Sequence, residues 1–141
     1  MRFMMLMIPQ GYETAPAKLE LDPERVAAMM RYNQELKDAG VLITLEGLHP
    51  LATGARVRFD TGEAVVVDGP FTEAKEVIGG FWMIDVASRA EAIEWASKCP
   101  ASANEFIEIR QVQEMADFSE EVQQAAATFE HPQGGWGKVL R

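Results

Sequence analysis

Two segments of this sequence are apolar at both parities of the two-residue strand period, so each strand must be covered on both faces. The first runs from Phe3 to Ile8 and the second from Gly79 to Val86. Neither approaches the ~20 apolar residues of a membrane span. The first segment stops at Pro9 without a small-residue cleavage site, which argues against a signal peptide. Both are predicted to be buried strands, and no membrane partner is expected.

Start and stop residues predict three helices. Asp22 can cap free N–H groups ahead of Pro23, and Gly40 suits a left-handed C-cap. Ser88 and Glu91 form a capping-box pattern. The predicted helices are Pro23 to Ala39, a second from the capping box to Pro100, and Phe118 to Thr128 with Asp117 and Glu120 as cap candidates.

Further strands are predicted between and after these helices. They are Val41–Leu48, the hairpin arms Ala55–Phe59 and Glu63–Val67, and Phe106–Val112. Asp60-Thr61-Gly62 joins the hairpin arms, with Gly62 placed for a positive φ. The resulting order is β-α-β, hairpin, β-α-β, helix. It predicts an α+β fold, a ferredoxin-like antiparallel sheet with an inserted β-hairpin.

Two main helices can cover only one face of such a sheet. The other face carries Met, Phe or Trp side chains on at least two strands. Exposing it would forfeit roughly 25 cal/mol per Å² of apolar area. We therefore expect a homodimer in which two sheets face each other, the dimeric α+β barrel arrangement.

Composition narrows the function. The formal net charge is -9, with no basic run, so a nucleic-acid partner is not expected. Cys99 is the only cysteine, which favours a reducing cytoplasm. The two histidines and this cysteine form no short-spaced metal-ligand set. Neither a phosphate-binding loop nor a dinucleotide-binding turn occurs, so no cofactor is predicted.

His49 and Asp68 are the candidate catalytic residues. His49 precedes Pro50 at the end of a predicted strand, where an imidazole can act as general acid or base. Asp68 would fix its tautomer. The alternatives are a surface-loop histidine bonded to backbone and an aspartate that only holds a turn. His131, in the breaker-rich tail, is expected to be inert.

Four further residues are candidate substrate-binding groups around the turn Asp68-Gly69-Pro70-Phe71. They are Arg58, Phe71, Glu73 and Lys75. A planar guanidinium suits bidentate contact with a substrate carboxylate. The alternative is a solvated charged turn, with Arg58 facing water. The methionines near the N-terminus and in the first helix are interpreted as core filling.

Six short motifs are distributed over residues 1 to 118. They are Gly47-Leu48-His49-Pro50, Val57-Arg58-Phe59, Asp68-Gly69-Pro70-Phe71 with the charged residues after it, Gly80 to Val86, Ala92 to Ala96, and Ile107 to Arg110. In combination they resemble the YCII-related family, and within it the DGPF-domain subgroup. The resemblance implies a dimeric α+β barrel, similar to muconolactone isomerase in architecture. Residues 119 to 141 are expected to form a separate C-terminal helix and flexible tail.

The same resemblance implies activity through a His and an Asp in a cleft, with no established general reaction, and an association with extracytoplasmic-function sigma factors. One hypothesis is a proton-transfer enzyme, an isomerase or lyase acting on a small organic acid or lactone. The alternative is a non-catalytic module that binds a small ligand or a sigma factor. A dimer that binds metabolites weakly is a third reading that the residues leave open.

Overall fold

The structure is a computed structural model in which residues 1–132 are described. Residues 133–141, the end of the predicted C-terminal tail, lie outside them. The described part forms six strands and three α-helices. The strands are β1 (Arg2–Ile8), β2 (Leu42–Gly47), β3 (Ala55–Arg58), β4 (Val65–Asp68), β5 (Gly80–Asp85) and β6 (Phe106–Gln111); the helices are α1 (Pro23–Asp38), α2 (Arg89–Ser97) and α3 (Glu120–Ala126).

Local capping chemistry sets the ends of α1 and α2. The Asp22 carboxylate accepts the N–H of Glu24, and Gly40 has a φ of 74° just after α1. The Ser88 hydroxyl accepts the N–H of Glu91 at the start of α2. The predicted bounds of α1 are thus confirmed to within one residue. The Glu91 carboxylate accepts from Ala87 N–H rather than from the N-cap itself.

The prediction for the third helix is wrong at its start. Ser119, not Asp117 or Glu120, is the N-cap of α3, because its hydroxyl accepts the Val122 N–H at 3.4 Å. The Asp117 carboxylate is already engaged, since it accepts the Glu114 N–H in a preceding 3-10 turn. Phe118, just before the N-cap, is therefore outside the helix.

Four strands form one sheet in the order β2-β5-β1-β6. Both β1 and β2 run antiparallel to β5, and an irregularity between Leu42 and Thr44 shifts the β2 register. Strands β3 and β4 form a separate antiparallel hairpin, as predicted, but its second arm is Val65–Asp68 and not Glu63–Val67. The α+β class and the antiparallel sheet are therefore as expected.

One face of the sheet holds the core. Phe3 and Met5 of β1 lie beside Trp82 and Ile84 of β5, and α1 and α2 add Tyr32, Leu36 and Ala92. Tyr32 packs edge-on against Trp82, and its hydroxyl donates to the Trp95 carbonyl at 2.7 Å. Both helices thus pack on the same face of the sheet, as expected for two helices over a sheet of this kind.

The opposite face of the sheet carries a central apolar stripe. Met4 pairs with Met83 and Leu6 with Phe81 across β1 and β5, and these four side chains are half-buried. On β6, Phe106 shares this face and is 42% exposed, whereas Ile107 and Ile109 pack on the core. The prediction that β1 and β5 are apolar on both faces is confirmed.

The chain divides into two compact units, Met1–Arg110 and Gln111–Arg141. The first contains the whole hairpin and almost all of the sheet. In the described part of the second, α3 follows a 3-10 turn at Met115–Asp117. No helix among residues 1–132 is long and apolar enough to cross a membrane.

Candidate functional site

The segment that carries His49 is fixed by its neighbours on both sides. The Leu48 N–H donates to the Gly79 carbonyl at 2.9 Å, and the Tyr12 hydroxyl donates to the Leu48 carbonyl. Pro50, after His49, is fully buried. Because the backbone is held on either side while the His49 side chain is exposed, the imidazole is presented to solvent from an ordered position.

The turn that follows β4 packs directly on the segment after His49. The Gly69 N–H donates to the Gly54 carbonyl at 2.8 Å. A Cβ at position 69 would lie 1.9 Å from the Leu51 carbonyl oxygen, so only glycine permits this approach. The next peptide bond, Gly69–Pro70, is cis. The absence of a side chain at Gly69 therefore allows the His49 segment and the DGPF turn (residues 68–71) to pack together.

His49 and Asp68 lie on these adjoining segments, but no hydrogen bond or ion pair joins their side chains within residues 1–132. Asp68 is the last residue of β4 and pairs with Ala55. Side chains alternate along a strand, so Asp68 is on the same hairpin face as Val57 and Val66. Both candidate catalytic residues are exposed. Their catalytic role stays a prediction.

The other hairpin face forms a cleft with the DGPF turn. The cleft has a volume of about 350 Å³ and is lined by Arg56, Arg58, Val67, Pro70, Phe71, Thr72 and Glu73. Of the four predicted substrate-binding residues, Arg58, Phe71 and Glu73 lie together here. Lys75 is exposed and is not part of the lining. His49 and Asp68 do not line it either.

The two arginines of the cleft have different partners. The Arg58 guanidinium donates through Nε to Asp60 Oδ2 at 3.0 Å and through Nη2 to Oδ1 at 3.3 Å. The Arg56 guanidinium instead lies over the Phe71 ring, with its carbon 3.9 Å from the ring centre. Arg58 is thus engaged by a carboxylate and Arg56 by an aromatic face.

Sequence reasoning missed Arg56 and Tyr12. Arg56 and Arg58 are two positions apart on one strand, so the alternation of β3 already placed them on a single face. Tyr12 has no comparable pattern, because its bond to Leu48 joins residues 36 positions apart. Burial raises the pKa of the Tyr12 phenol above its usual value.

Other reactive or ligand-like groups lie away from this cleft. Burial, with a smaller contribution from the Glu105 charge, raises the pKa of the Cys99 thiol to about 11. In the described part of the chain, no three His, Cys, Asp or Glu side chains are close enough to hold a metal ion. A smaller apolar cavity of about 200 Å³ lies between α1 and the ends of β2 and β5.

The chain is similar to part of a known protein and, more distantly, to a solved structure. An uncharacterised protein of Rhizobium meliloti (strain 1021) is 44% identical over 59 residues, which is 42% of this chain; the match spans about half, 48%, of the relative. The 5-chloro-2-hydroxyhydroquinone dehydrochlorinase of Burkholderia phenoliruptrix AC1100, solved with 2,5-dihydroxybenzoquinone, has a TM-score of 0.42 and 14% identity, covering 84% of this chain and all of that one.

The family assignment rests on a more extensive match. The family model of the YCII-related domain matches residues 1–116. That range includes the whole sheet, the hairpin, the DGPF turn and both helices of the core. The chain therefore belongs to the YCII-related domain family.

Proposed function

We propose that this chain is a small proton-transfer enzyme of isomerase or lyase type that acts on a small organic acid. The observation that supports this most is the packing of the Leu51–Thr53 turn against Gly69, because His49 and Asp68 flank that contact. The cleft lined by Arg56, Arg58 and Phe71 adjoins the DGPF turn, which is the other partner in that contact. The imidazole and the cleft thus belong to the two chain segments that meet at Gly69.

In this proposal, neutral His49 removes a proton from the carbon atom next to a carbonyl group of the substrate, and the electron pair of the C–H bond forms an enolate. The imidazolium then returns the proton to the enolate, so that His49 ends neutral. Asp68 orients the imidazole and stabilises its charged form once substrate is bound. Phe71, Glu73 and an arginine of the cleft contact the rest of the substrate, whereas Lys75 lies outside the cleft lining. General acid–base chemistry of this kind needs no cofactor, and we assign none.

We also propose that the protein is a homodimer with a ferredoxin-like, dimeric α+β barrel arrangement, within the DGPF-domain subgroup. The apolar stripe of Met4, Leu6, Phe81 and Met83 supports the shared sheet face. Glu108 and Arg110 on the edge strand β6 form an exposed ion pair with each other, at 3.4 Å. The single free Cys99 is consistent with a cytoplasmic location.

A second candidate function is a non-catalytic module that binds a small ligand or an extracytoplasmic-function sigma factor. It is favoured by the absence, within residues 1–132, of a bond between the His49 and Asp68 side chains. The net charge of -9 would suit a basic protein partner. Capture of such a sigma factor by the intact protein, with no proton exchange, would favour this candidate.

Proton exchange into solvent is the direct test. Pyruvate, levulinate and α-angelica lactone are incubated in D₂O, and deuterium uptake next to the carbonyl group is followed by ¹H NMR. We expect the wild-type protein to accelerate uptake by at least one of them. Substitution His49→Gln should lower the rate by about 10²- to 10⁴-fold, the usual contribution of a general acid or base.

Two variants serve as comparisons. Asp68→Asn should lower the rate less than His49→Gln, because it removes orientation rather than the proton carrier. His131→Gln replaces the other histidine and should leave the rate unchanged. Equal rates for wild type and His49→Gln, with ligand binding intact, would reject the enzyme in favour of the binding module.

A further inference from the structure

Of the two arginines that line the cleft, Arg58 is paired with a carboxylate and Arg56 has no carboxylate partner among the described residues. Two charge-assisted hydrogen bonds hold the Arg58 guanidinium on Asp60. No carboxylate within residues 1–132 pairs with the Arg56 guanidinium, although Glu73 lines the same cleft. In a chain with a net charge of -9, a guanidinium left without an acidic partner is a ready site for an anion.

The contact of Arg56 with Phe71 fixes this group without using its hydrogen-bond donors. A guanidinium over an aromatic face interacts through its charge, and its N–H groups stay available for a planar acceptor. The carbon-to-centroid distance of 3.9 Å is well inside the range for such a contact. Phe71 therefore limits the motion of the Arg56 side chain and reduces the entropy lost when a ligand binds.

The surroundings of Arg56 indicate what the anion is attached to. Val67, Pro70 and Phe71 give the cleft an apolar wall beside the guanidinium. Glu73 places a negative charge on the same lining. A ligand with one carboxylate on an apolar or aromatic body matches both features, whereas a second carboxylate would meet Glu73.

From this we infer that Arg56, supported by Phe71, is the carboxylate anchor of the cleft and that the site selects monocarboxylates with an apolar body. Arg58 is a structural partner of Asp60 rather than a ligand contact. This inference rests on the proposed function, since it names the substrate class of the same cleft. It replaces Arg58 by Arg56 as the residue that contacts the carboxylate.

The test uses benzoate as probe and the intact protein. Titration at low ionic strength is followed by ¹H–¹⁵N NMR of the backbone amides and the arginine side-chain Nε–H groups, because salt screens an exposed pair. We expect saturable shifts at the Arg56 Nε–H and at the Phe71 and Thr72 amides. Benzamide, the neutral counterpart, should cause none of comparable size.

Arg56→Gln and Arg58→Gln are matched variants two positions apart on one strand face. The first should weaken benzoate binding by about fivefold or more, and the second should change it by less than about twofold. Arg56→Lys keeps the charge but not the planar fork, so it should give intermediate binding. Both positions are exposed, and the amide spectrum of each variant reports whether the fold is kept.

Selectivity is tested with isophthalate, which carries a second carboxylate. Wild type should bind it less tightly than benzoate, and Glu73→Gln should narrow that difference. Equal losses from Arg56→Gln and Arg58→Gln, or equal binding of benzamide and benzoate, would overturn the inference.

The experiments distinguish a failure of the proposed enzyme activity from a failure of the proposed carboxylate anchor. His49→Gln and Asp68→Asn should keep benzoate binding even though they lower proton exchange. A protein that binds benzoate through Arg56 but catalyses no exchange supports the anchor and rejects the enzyme. A protein that catalyses exchange with full activity in Arg56→Gln rejects the anchor and keeps the enzyme.

Discussion

The substitution Gly69→Ala tests the contact on which the site geometry depends. A Cβ at this position would lie 1.9 Å from the Leu51 carbonyl oxygen, 2.9 Å from the Leu51 carbonyl carbon and 3.1 Å from the Gly54 carbonyl oxygen. All three atoms are backbone, so no side-chain rotation can relieve the overlap. Either the DGPF turn or the Leu51–Thr53 turn must move by about 1 Å or more.

The expected cost follows from two contributions. Overpacking of this kind costs about 1–3 kcal/mol. The same displacement breaks the hydrogen bond from the Gly69 N–H to the Gly54 carbonyl, which contributes about 0.5–1.5 kcal/mol. The local opening free energy should therefore fall by about 2–4 kcal/mol, or by the whole local stability if that is smaller.

Gly54→Ala is the matched control in the same turn. Its Cβ would lie at an ordinary 3.4 Å from the Leu51 carbonyl oxygen, and Gly54 has an extended φ of -96° that alanine adopts readily. This variant should be neutral or more stable by about 0.4–1 kcal/mol.

Amide hydrogen exchange at residue 69 is the assay, because it measures local opening rather than global unfolding. Protection should fall by about 30- to 1,000-fold in Gly69→Ala and stay near the wild-type value in Gly54→Ala. Wild-type protection in both variants would refute the reasoning, since the close approach would then not exist.

Two further predictions concern the core and the thiol. Ile84→Ala should lower the free energy of unfolding in urea by about 2–5 kcal/mol, because Ile84 of the central strand β5 is fully buried in the core; a loss below about 1 kcal/mol would contradict that packing. Cys99 should react slowly with iodoacetamide at pH 8, since a pKa of about 11 leaves about a hundredfold less thiolate than the ordinary value of 9.0. The reaction rate should rise as the pH approaches 11. A rate at pH 8 like that of a free thiol would contradict the burial of Cys99.

Helix ends and turns that are set by neighbouring residues, such as caps and glycines, could be predicted from the sequence. The Asp22-Pro23 start and the Gly40 stop determine α1 within one residue. Gly62 has the expected left-handed φ of 88° in the hairpin turn. The predicted start of α3 is wrong because Ser119 and Asp117 are both residues that commonly cap helices. Only the 3-10 turn before α3, which engages Asp117, decides between them.

The site was harder to predict because its residues meet through tertiary contacts. The second hairpin arm is Val65–Asp68 rather than Glu63–Val67, which moves Asp68 from the turn into the strand and sets its face. The contact between Arg56 and Phe71 joins residues that no local pattern pairs. Lys75 is near Phe71 in sequence, but the irregular chain leaves the cleft lining after Glu73.

We proposed that two copies of the chain pack together through the open face of the sheet. An enclosed site depends on this dimer. Sedimentation equilibrium of the intact protein over about 1 to 100 µM measures it directly. We predict the mass of two 15.6 kDa chains, and a shift towards one chain in Met83→Glu, which places a charge in the centre of the apolar stripe. A wild-type mass of one chain at every concentration would contradict the account.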